Sequence, residues 1–165
     1  MRWSWLAYLL LTIPALLWIT GLFLAPVTHA CGRDDVAILS RLFFSPVCHQ
    51  DVARTFHPFA WPMNVCHRCS GIYLAFTGIL LLFPFLRQTR MFRSFSFPML
   101  LLLLVPLLLD YILDVLGIWV NSPFSRVASG VLVGGGLALF IVPAWMEMWT
   151  SWRNPSPNES REVSP

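Results

Sequence analysis

Lysine is absent from this 165-residue chain; its eleven basic residues are all arginine, set against eight acidic ones for a net charge of +3. Charge of either sign is scarce, at 12% of residues, while apolar types make up 57%. A soluble domain carries about a quarter charged residues, so this composition excludes an ordinary water-soluble fold. No basic cluster lies beside stacking aromatics, which argues against nucleic acid as a partner. Cysteine and histidine are missing from most of the chain. All four of each fall between His29 and Cys69, so any thiol or imidazole chemistry belongs to one short stretch. The length fits one domain.

The apolar residues gather into four runs long enough to cross a bilayer, which takes about 20 residues of helix. They extend from about Trp5 to Leu24, Cys69 to Leu86, Pro98 to Val120 and Phe124 to Trp149. Backbone polar groups within lipid must be satisfied inside the segment, so the runs are helices. The expected fold is all-α: a four-helix transmembrane bundle over residues 1–152, followed by a disordered tail at 153–165. Pro14, Pro84, Pro106 and Pro143 fall inside or near the ends of the runs and predict kinks rather than breaks. Arg2 before the first run, and Thr28-His29-Ala30 before Cys31, faintly resemble a cleaved signal. The apolar stretch exceeds the about 7–15 residues of a signal core, so a retained span is the expectation.

Arg87, Arg90 and Arg93 share the short loop between the second and third runs. The positive-inside rule places that loop, and with it both termini, on the cytoplasmic side, the expected location being the cell inner (plasma) membrane. Trp3, Trp5, Trp145, Trp149 and Trp152 would form the inner aromatic belt, with Trp61 and Trp119 at the outer one. The loop from about Ala25 to Arg68 then faces outward, although it carries Arg33, Arg41, Arg54 and Arg68.

This extracytoplasmic loop is rich in Cys and His. Asp34 or Asp35 would cap a short interfacial helix through Ala37, Ile38, Leu42 and Phe43, ended by Pro46. Cys48-His49-Gln50 follows, and then Cys66-His67-Arg68-Cys69. Thiolates and neutral imidazoles are ligands for zinc and other transition metals. Cys66 and Cys69, three apart, turn two sulfurs toward one point, and Cys48 and His49 complete a candidate set. Adjacent residues rarely both bind one ion, so a three-cysteine site, or His67 as a ligand, stays open. Two other readings compete. Cys66/Cys69 at a helix start beside Arg68 fits a reactive thiol pair, and one or two structural disulfides fit an oxidising outer face. Four cysteines allow three pairings.

The third run carries Asp110 and Asp114 one turn apart on one face, with Gly117 and Asn121 extending the stripe outward. Carboxylates within a span mark function or a buried partner. Arg126, entering the fourth run from the same side, would neutralise Asp114 as a structural salt bridge, or Asp114, Arg126 and Arg54 would serve as catalytic residues beside Asp110. Asp110 lies too deep for an easy arginine partner and would serve as general base or extra metal ligand. Arg54, Arg68 or Arg126 would bind an anionic lipid head group. Gly71, Ala75 and Gly78 in the second run, with Gly130, Gly134, Gly135 and Gly136 in the fourth, predict close helix packing. Such packing would bring Cys66, Cys69, Asp114 and Arg126 to one outer vestibule.

The strings Cys48-His49-Gln50, Arg54-Thr55-Phe56 and Cys66-His67-Arg68-Cys69-Ser70-Gly71-Ile72-Tyr73 resemble the signature of domain-of-unknown-function family 2085, small multi-pass membrane proteins of bacteria and archaea. The leucine run ending in Asp110, and Arg126 followed by Ser129-Gly130, resemble its later segments, so the likeness spans roughly residues 35–145. Ser70 stands where threonine is common and Asp114 where other residues often occur, and Cys31 falls outside the pattern. The resemblance implies the fold and membrane setting but no activity. Three functions therefore compete. The first is a membrane protein with an outer Cys/His metal site, extending to a metal-dependent enzyme acting on a lipid or small molecule. The second is a quinone-linked thiol–disulfide oxidoreductase, similar in layout to the disulfide-generating quinone reductases, using Cys66/Cys69 with Cys31/Cys48. The third is a non-enzymatic assembly or accessory protein. A homo-oligomer is compatible with all three, and a transport pathway would require one.

Overall fold

The computed structural model describes residues 4–88, 96–118 and 121–153. Arg2, Trp3, Arg90, Arg93, Trp119, Val120 and the tail from residue 154 onward lie outside the described residues, so the expectations for them stay as sequence readings. Among the described residues the chain is all-helical. Its helices are α1 (Trp5–Leu22), α2 (Leu24–Ala30), α3 (Asp34–Phe44), α4 (His67–Leu86), α5 (Phe97–Val115) and α6 (Pro123–Arg153). Helices α1, α4, α5 and α6 are long and apolar enough to span a membrane. Each runs unbroken through its internal proline: Pro14, Pro84, Pro106 and Pro143.

Two boundaries differ from the sequence expectation. Helix α4 starts two residues early, at His67, with Cys66 in extended conformation as its N-cap. Helix α5 stops at Val115, five residues short of Val120, because Gly117 adopts a left-handed φ of 67°. Gly117 and Ile118 then donate back to the Asp114 and Leu113 carbonyls, the usual closure of a helix end by a left-handed glycine. Gly117 therefore ends the polar stripe, and Asn121 does not continue it. Instead the Asn121 side chain folds back and donates to the Asp110 carbonyl at 2.6 Å.

Helices α4 and α6 form the most extensive contact of the bundle. A Cβ added at Gly130 or Gly134 would strike the backbone oxygen of Arg68 or Ile72, and one at Gly71 would lie 2.6 Å from the Val127 oxygen. The small-residue rows are thus contact surfaces, as small residues in spans commonly are. Gly78 is the exception, because a Cβ there would meet nothing within 4 Å. Away from the loop, Ala7 and Tyr8 of α1 pack with Leu80 and Phe83 of α4 and with Ala138, Leu139, Val142 and Met146 of α6. Trp145 of α6 donates to the Ala7 carbonyl at 2.9 Å. Helix α5 leans mainly on α6, and among its residues only Leu100 is buried.

The segment between α1 and α4 folds over the bundle end. Helices α2 and α3 form a hairpin around Gly32, which has a φ of 72°. Asp34 and Asp35 sit in the first turn of α3 rather than capping it; Arg33 holds the cap position, and the two carboxylates pair with His29 and Arg33. Negative charge in a first turn complements the helix dipole without a capping bond. Ala37, Ser40 and Phe44 face inward, whereas Ile38, Leu39, Leu42 and Phe43 are exposed. That outward apolar face suits an interfacial helix.

Asn64 ties the segment to the bundle. It is fully buried, its side chain donates to the Gly21 carbonyl at 2.7 Å, and its backbone N–H donates to the Leu22 carbonyl. Ser40 of α3 donates to its Oδ1. Arg41 of α3 adds bonds to the Met63 and Gln50 carbonyls.

Two stability tests follow from these contacts. Gly134→Val should cost about 2 kcal/mol or more by forcing α4 off α6, while Gly78→Ala should be neutral or gain up to about 1 kcal/mol through helix propensity; thermal midpoints in one detergent would rank the two. Asn64→Ala should cost on the order of 1–3 kcal/mol, because buried carbonyls lose their donor, and should speed proteolytic nicking within residues 45–66.

Candidate functional site

Two segments far apart in sequence meet at the loop end of the bundle. Cys48 follows α3. Cys66 and Cys69 occupy the N-cap and third positions of α4, so one helical turn folds their side chains toward each other. The Sγ atoms of Cys48, Cys66 and Cys69 all lie within 4.8 Å of one another. Cys48 is placed by its neighbour Gln50. Gln50 has a φ of 53°, a conformation costly for a residue with a Cβ, and its side chain offsets that by donating to the Arg41 carbonyl at 2.6 Å and the Asn64 carbonyl at 2.8 Å. The Cys66 N–H in turn points at the Cys48 sulfur, at 3.2 Å. An isolated β-bridge between Thr55 and Cys66 fixes the remaining strand of the loop.

The thiols are enclosed by an apolar shell. Leu22, Phe44, Met63 and Val65 are buried with Cys48, and Trp18, Ile19 and Tyr73 pack beside Cys66 and Cys69. Cys66 is held well below the ordinary cysteine range, first by the neighbouring Cys48 and then Cys69 side chains, with further help from the Cys69 and Arg68 backbone N–H groups. The three sulfurs are soft donors of the kind that bind zinc and other thiophilic ions, and the group can hold a metal ion.

His49 is not part of this group. It lies beside Cys48 in sequence, and side chains on adjacent residues diverge. His49 instead lines a cavity of about 420 Å³ together with Asp51, Arg54, Cys66, Arg68, Tyr111, Val115 and Arg126. His67 also stays out of the thiol group. It is buried, its ring packs edge-on against Phe56 with centroids 4.3 Å apart, and its Nδ1 has no partner. Cys31 is exposed beyond α2 and is not among the grouped thiols, so the structure does not form the expected Cys31/Cys48 pair.

The cavity walls carry a lattice of ion pairs. Arg68, in the first turn of α4, holds the Asp110 carboxylate through Nη2 and through Nε at 3.1 Å. Its guanidinium also lies over the Tyr111 ring, 5.7 Å from the centroid. Asp114 is clasped between Arg54 Nη1 at 2.7 Å and Arg126 Nη2 at 3.4 Å. Arg54 additionally reaches Asp51 at 3.1 Å. The expectation that Asp110 is too deep for an arginine fails, because an arginine side chain is long enough to run inward along the helix surface from a Cα near the membrane boundary. Asp110 is thus an ion-pair partner of Arg68. The expected Arg126–Asp114 bridge is present, with Arg54 as a second cation.

The structure therefore gathers Cys48, Cys66 and Cys69 in one cluster. It sets Arg54, Arg68 and Arg126 with Asp110 and Asp114 in the lattice beside it, and Cys66 belongs to both. The sequence reading missed Asn64, Arg41 and the positioning role of Gln50. Only the adjacency of Gln50 to Cys48 and His49 offered a signal, since hydrogen bonds to distant carbonyls leave no spacing pattern.

Comparison with known proteins agrees with this picture. An uncharacterised protein of Methanocaldococcus jannaschii is 27% identical over 146 residues, covering 86% of this chain and 94% of its own. An uncharacterised protein of Methanothermobacter thermautotrophicus is 33% identical over 97 residues, covering 58% of this chain and 85% of its own. No solved structure matches. The family model described as "Predicted membrane protein (DUF2085)" matches residues 48–140, a stretch that opens at Cys48 and takes in Cys66, Cys69, every arginine and aspartate of the cavity, and the glycine contact between α4 and α6. This chain belongs to that family of membrane proteins, domain-of-unknown-function family 2085.

Proposed function

We propose that this protein binds a thiophilic transition metal, zinc foremost, through Cys48, Cys66 and Cys69 at the extracytoplasmic face of the plasma membrane. The observation that carries the proposal is the convergence of three sulfurs within 4.8 Å from positions 48, 66 and 69. Two of them come from one helix start and the third from a loop braced by Gln50. A lone disulfide would need only two sulfurs and would leave the third without a role. Three protein ligands leave one position of a tetrahedral ion free, the arrangement of catalytic rather than structural zinc. Cys66 also lines the cavity, so a ligand lodged there would lie beside the metal.

The outward orientation rests on Arg87, Arg90 and Arg93 in the opposite loop and on the inner tryptophans. With the thiol end outward, residues 1–152 act as one membrane domain with both termini in the cytoplasm. If the centre is an enzyme's, the metal would activate water or polarise a substrate, and the cavity would take a lipid or small-molecule substrate. Asp110 and Asp114, both occupied by arginines, then position guanidinium groups instead of accepting the proton.

A second reading has its own support. Three neighbouring sulfurs, two of them in the N-cap and first turn of α4, also suit thiol–disulfide exchange through Cys66/Cys69, with a quinone as electron acceptor. With Cys31 apart from the group, Cys48 would be the resolving thiol in that scheme. A non-enzymatic assembly or accessory role would use the same cluster as a structural staple.

One sample separates these readings. Protein purified without chelator should carry about one equivalent of metal, and Cys48→Ser, Cys66→Ser and Cys69→Ser should each lower it at least about tenfold. Wild-type protein with less than about a tenth of an equivalent would exclude the metal; a Cys66–Cys69 bridge that thiol trapping finds opening and re-forming when quinone is added would support the redox reading, and one that stays closed throughout would support the structural staple.

A further inference from the structure

We infer that the cavity beside the thiols is a phosphodiester-binding site, with Arg126 and Arg54 as its donors. The inference goes beyond the metal reading and takes none of its donors from the three cysteines, although Cys66 lines the cavity. The cavity, about 420 Å³ in volume, has the size of a small-ligand site. Its polar lining is dominated by guanidinium groups, whose planar forks match the geometry of phosphate oxygens.

The donors differ in availability. Arg68 spends both Nε and Nη2 on Asp110 and is already saturated on that side. Arg126 is more than nine-tenths buried, meets Asp114 only through Nη2 at 3.4 Å, and keeps a buried Nε with no partner. A buried, charged and unbonded N–H is costly unless something accepts from it. Arg126 lines the cavity, so a ligand oxygen there would do so once its guanidinium turns to present Nε. Arg54, 44% exposed at its side chain, uses Nε and Nη1 on Asp51 and Asp114 and lines the same cavity. His49 and Tyr111 complete the wall.

Charge balance selects among phosphates. Three guanidiniums stand against Asp51, Asp110 and Asp114, so the cavity offers directed N–H groups with little net positive field. Against this balance a dianion such as a free phosphate monoester would leave two charges uncompensated and a diester only one, and of the three aspartates only Asp51 lines the cavity beside the arginines, so the monoanion is the better matched guest. Phospholipid head groups are such diesters, and the architecture gives them access. Tyr111 and Val115 line the cavity yet are 52% and 65% exposed on α5, so the wall on the bilayer side is one side chain thick.

The test uses full-length protein in neutral detergent. Native mass spectrometry would follow titration with phosphatidylglycerol and phosphatidylcholine, and calorimetry would follow inorganic phosphate. Both lipids are diesters, but only phosphatidylglycerol lacks a choline to neutralise its charge. The expected result is saturable binding of one phosphatidylglycerol per chain, with phosphate competing weakly. Arg126→Lys keeps the charge but loses the Nε donor and should weaken that binding by about tenfold. Val115→Trp fills the cavity from α5 without removing any member of an ion pair and should weaken it similarly, which keeps the test decisive if the arginine variant folds poorly. Saturable binding of phosphate without lipid selectivity would assign the same site to a free anion. No saturable binding of either probe, or binding unchanged in both variants, would overturn the inference. Metal content measured on the same samples should be unchanged by Val115→Trp, so failure here and failure of the metal reading are told apart.

Discussion

Backbone rests on backbone where α4 crosses α6, and the height of that crossing governs the loop end of the molecule. Gly71, Gly130 and Gly134 leave no room for a side chain between the helices. At this separation Arg68 of α4 and Arg126 of α6 line the same cavity, where each meets a carboxylate of α5. The same register presents the first turn of α4, with Cys66 and Cys69, to the loop that delivers Cys48. Within lipid there is no hydrophobic drive to bring apolar helices together, so close van der Waals contact of this kind has to supply the attraction.

Helix α5 illustrates the other half of the design. Only Leu100 is buried along its length, so apolar packing fixes it weakly. Its position is set at one end, where Asp110 and Asp114 engage Arg68, Arg54 and Arg126, and where Asn121 closes onto the Asp110 carbonyl. Buried ion pairs add little net stability once desolvation is counted, yet removing one partner is severe. Here they act chiefly to define where α5 sits against the cavity.

The spans and the thiol cluster were readable from the chain because their signals are local. Twenty apolar residues in a row announce a span wherever they occur, and Cys66 and Cys69 converge by helical geometry alone. What escaped was set by reach and by tertiary placement. An arginine at position 68 finding a carboxylate at position 110 depends on side-chain length and on the glycine contact, neither of which appears as a periodicity. Asn64 and Gln50 are ordinary polar residues in sequence, and they matter because three chain segments happen to expose carbonyls around them. The end of α5 was legible in principle, since Gly117 is a common helix stop, but the apolar residues beyond it masked the signal.

The exclusive use of arginine has a consequence for how this lattice responds to its surroundings. A lysine carried into a low-dielectric region can shed its proton and persist as a neutral amine, whereas a guanidinium stays charged under all physiological conditions. Arg68, Arg126 and Arg54 therefore cannot discharge themselves if a counter-charge is withdrawn. Each aspartate is a standing obligation of the fold, and the end of α5 does not tolerate a neighbour that draws Asp110 or Asp114 away from its arginine.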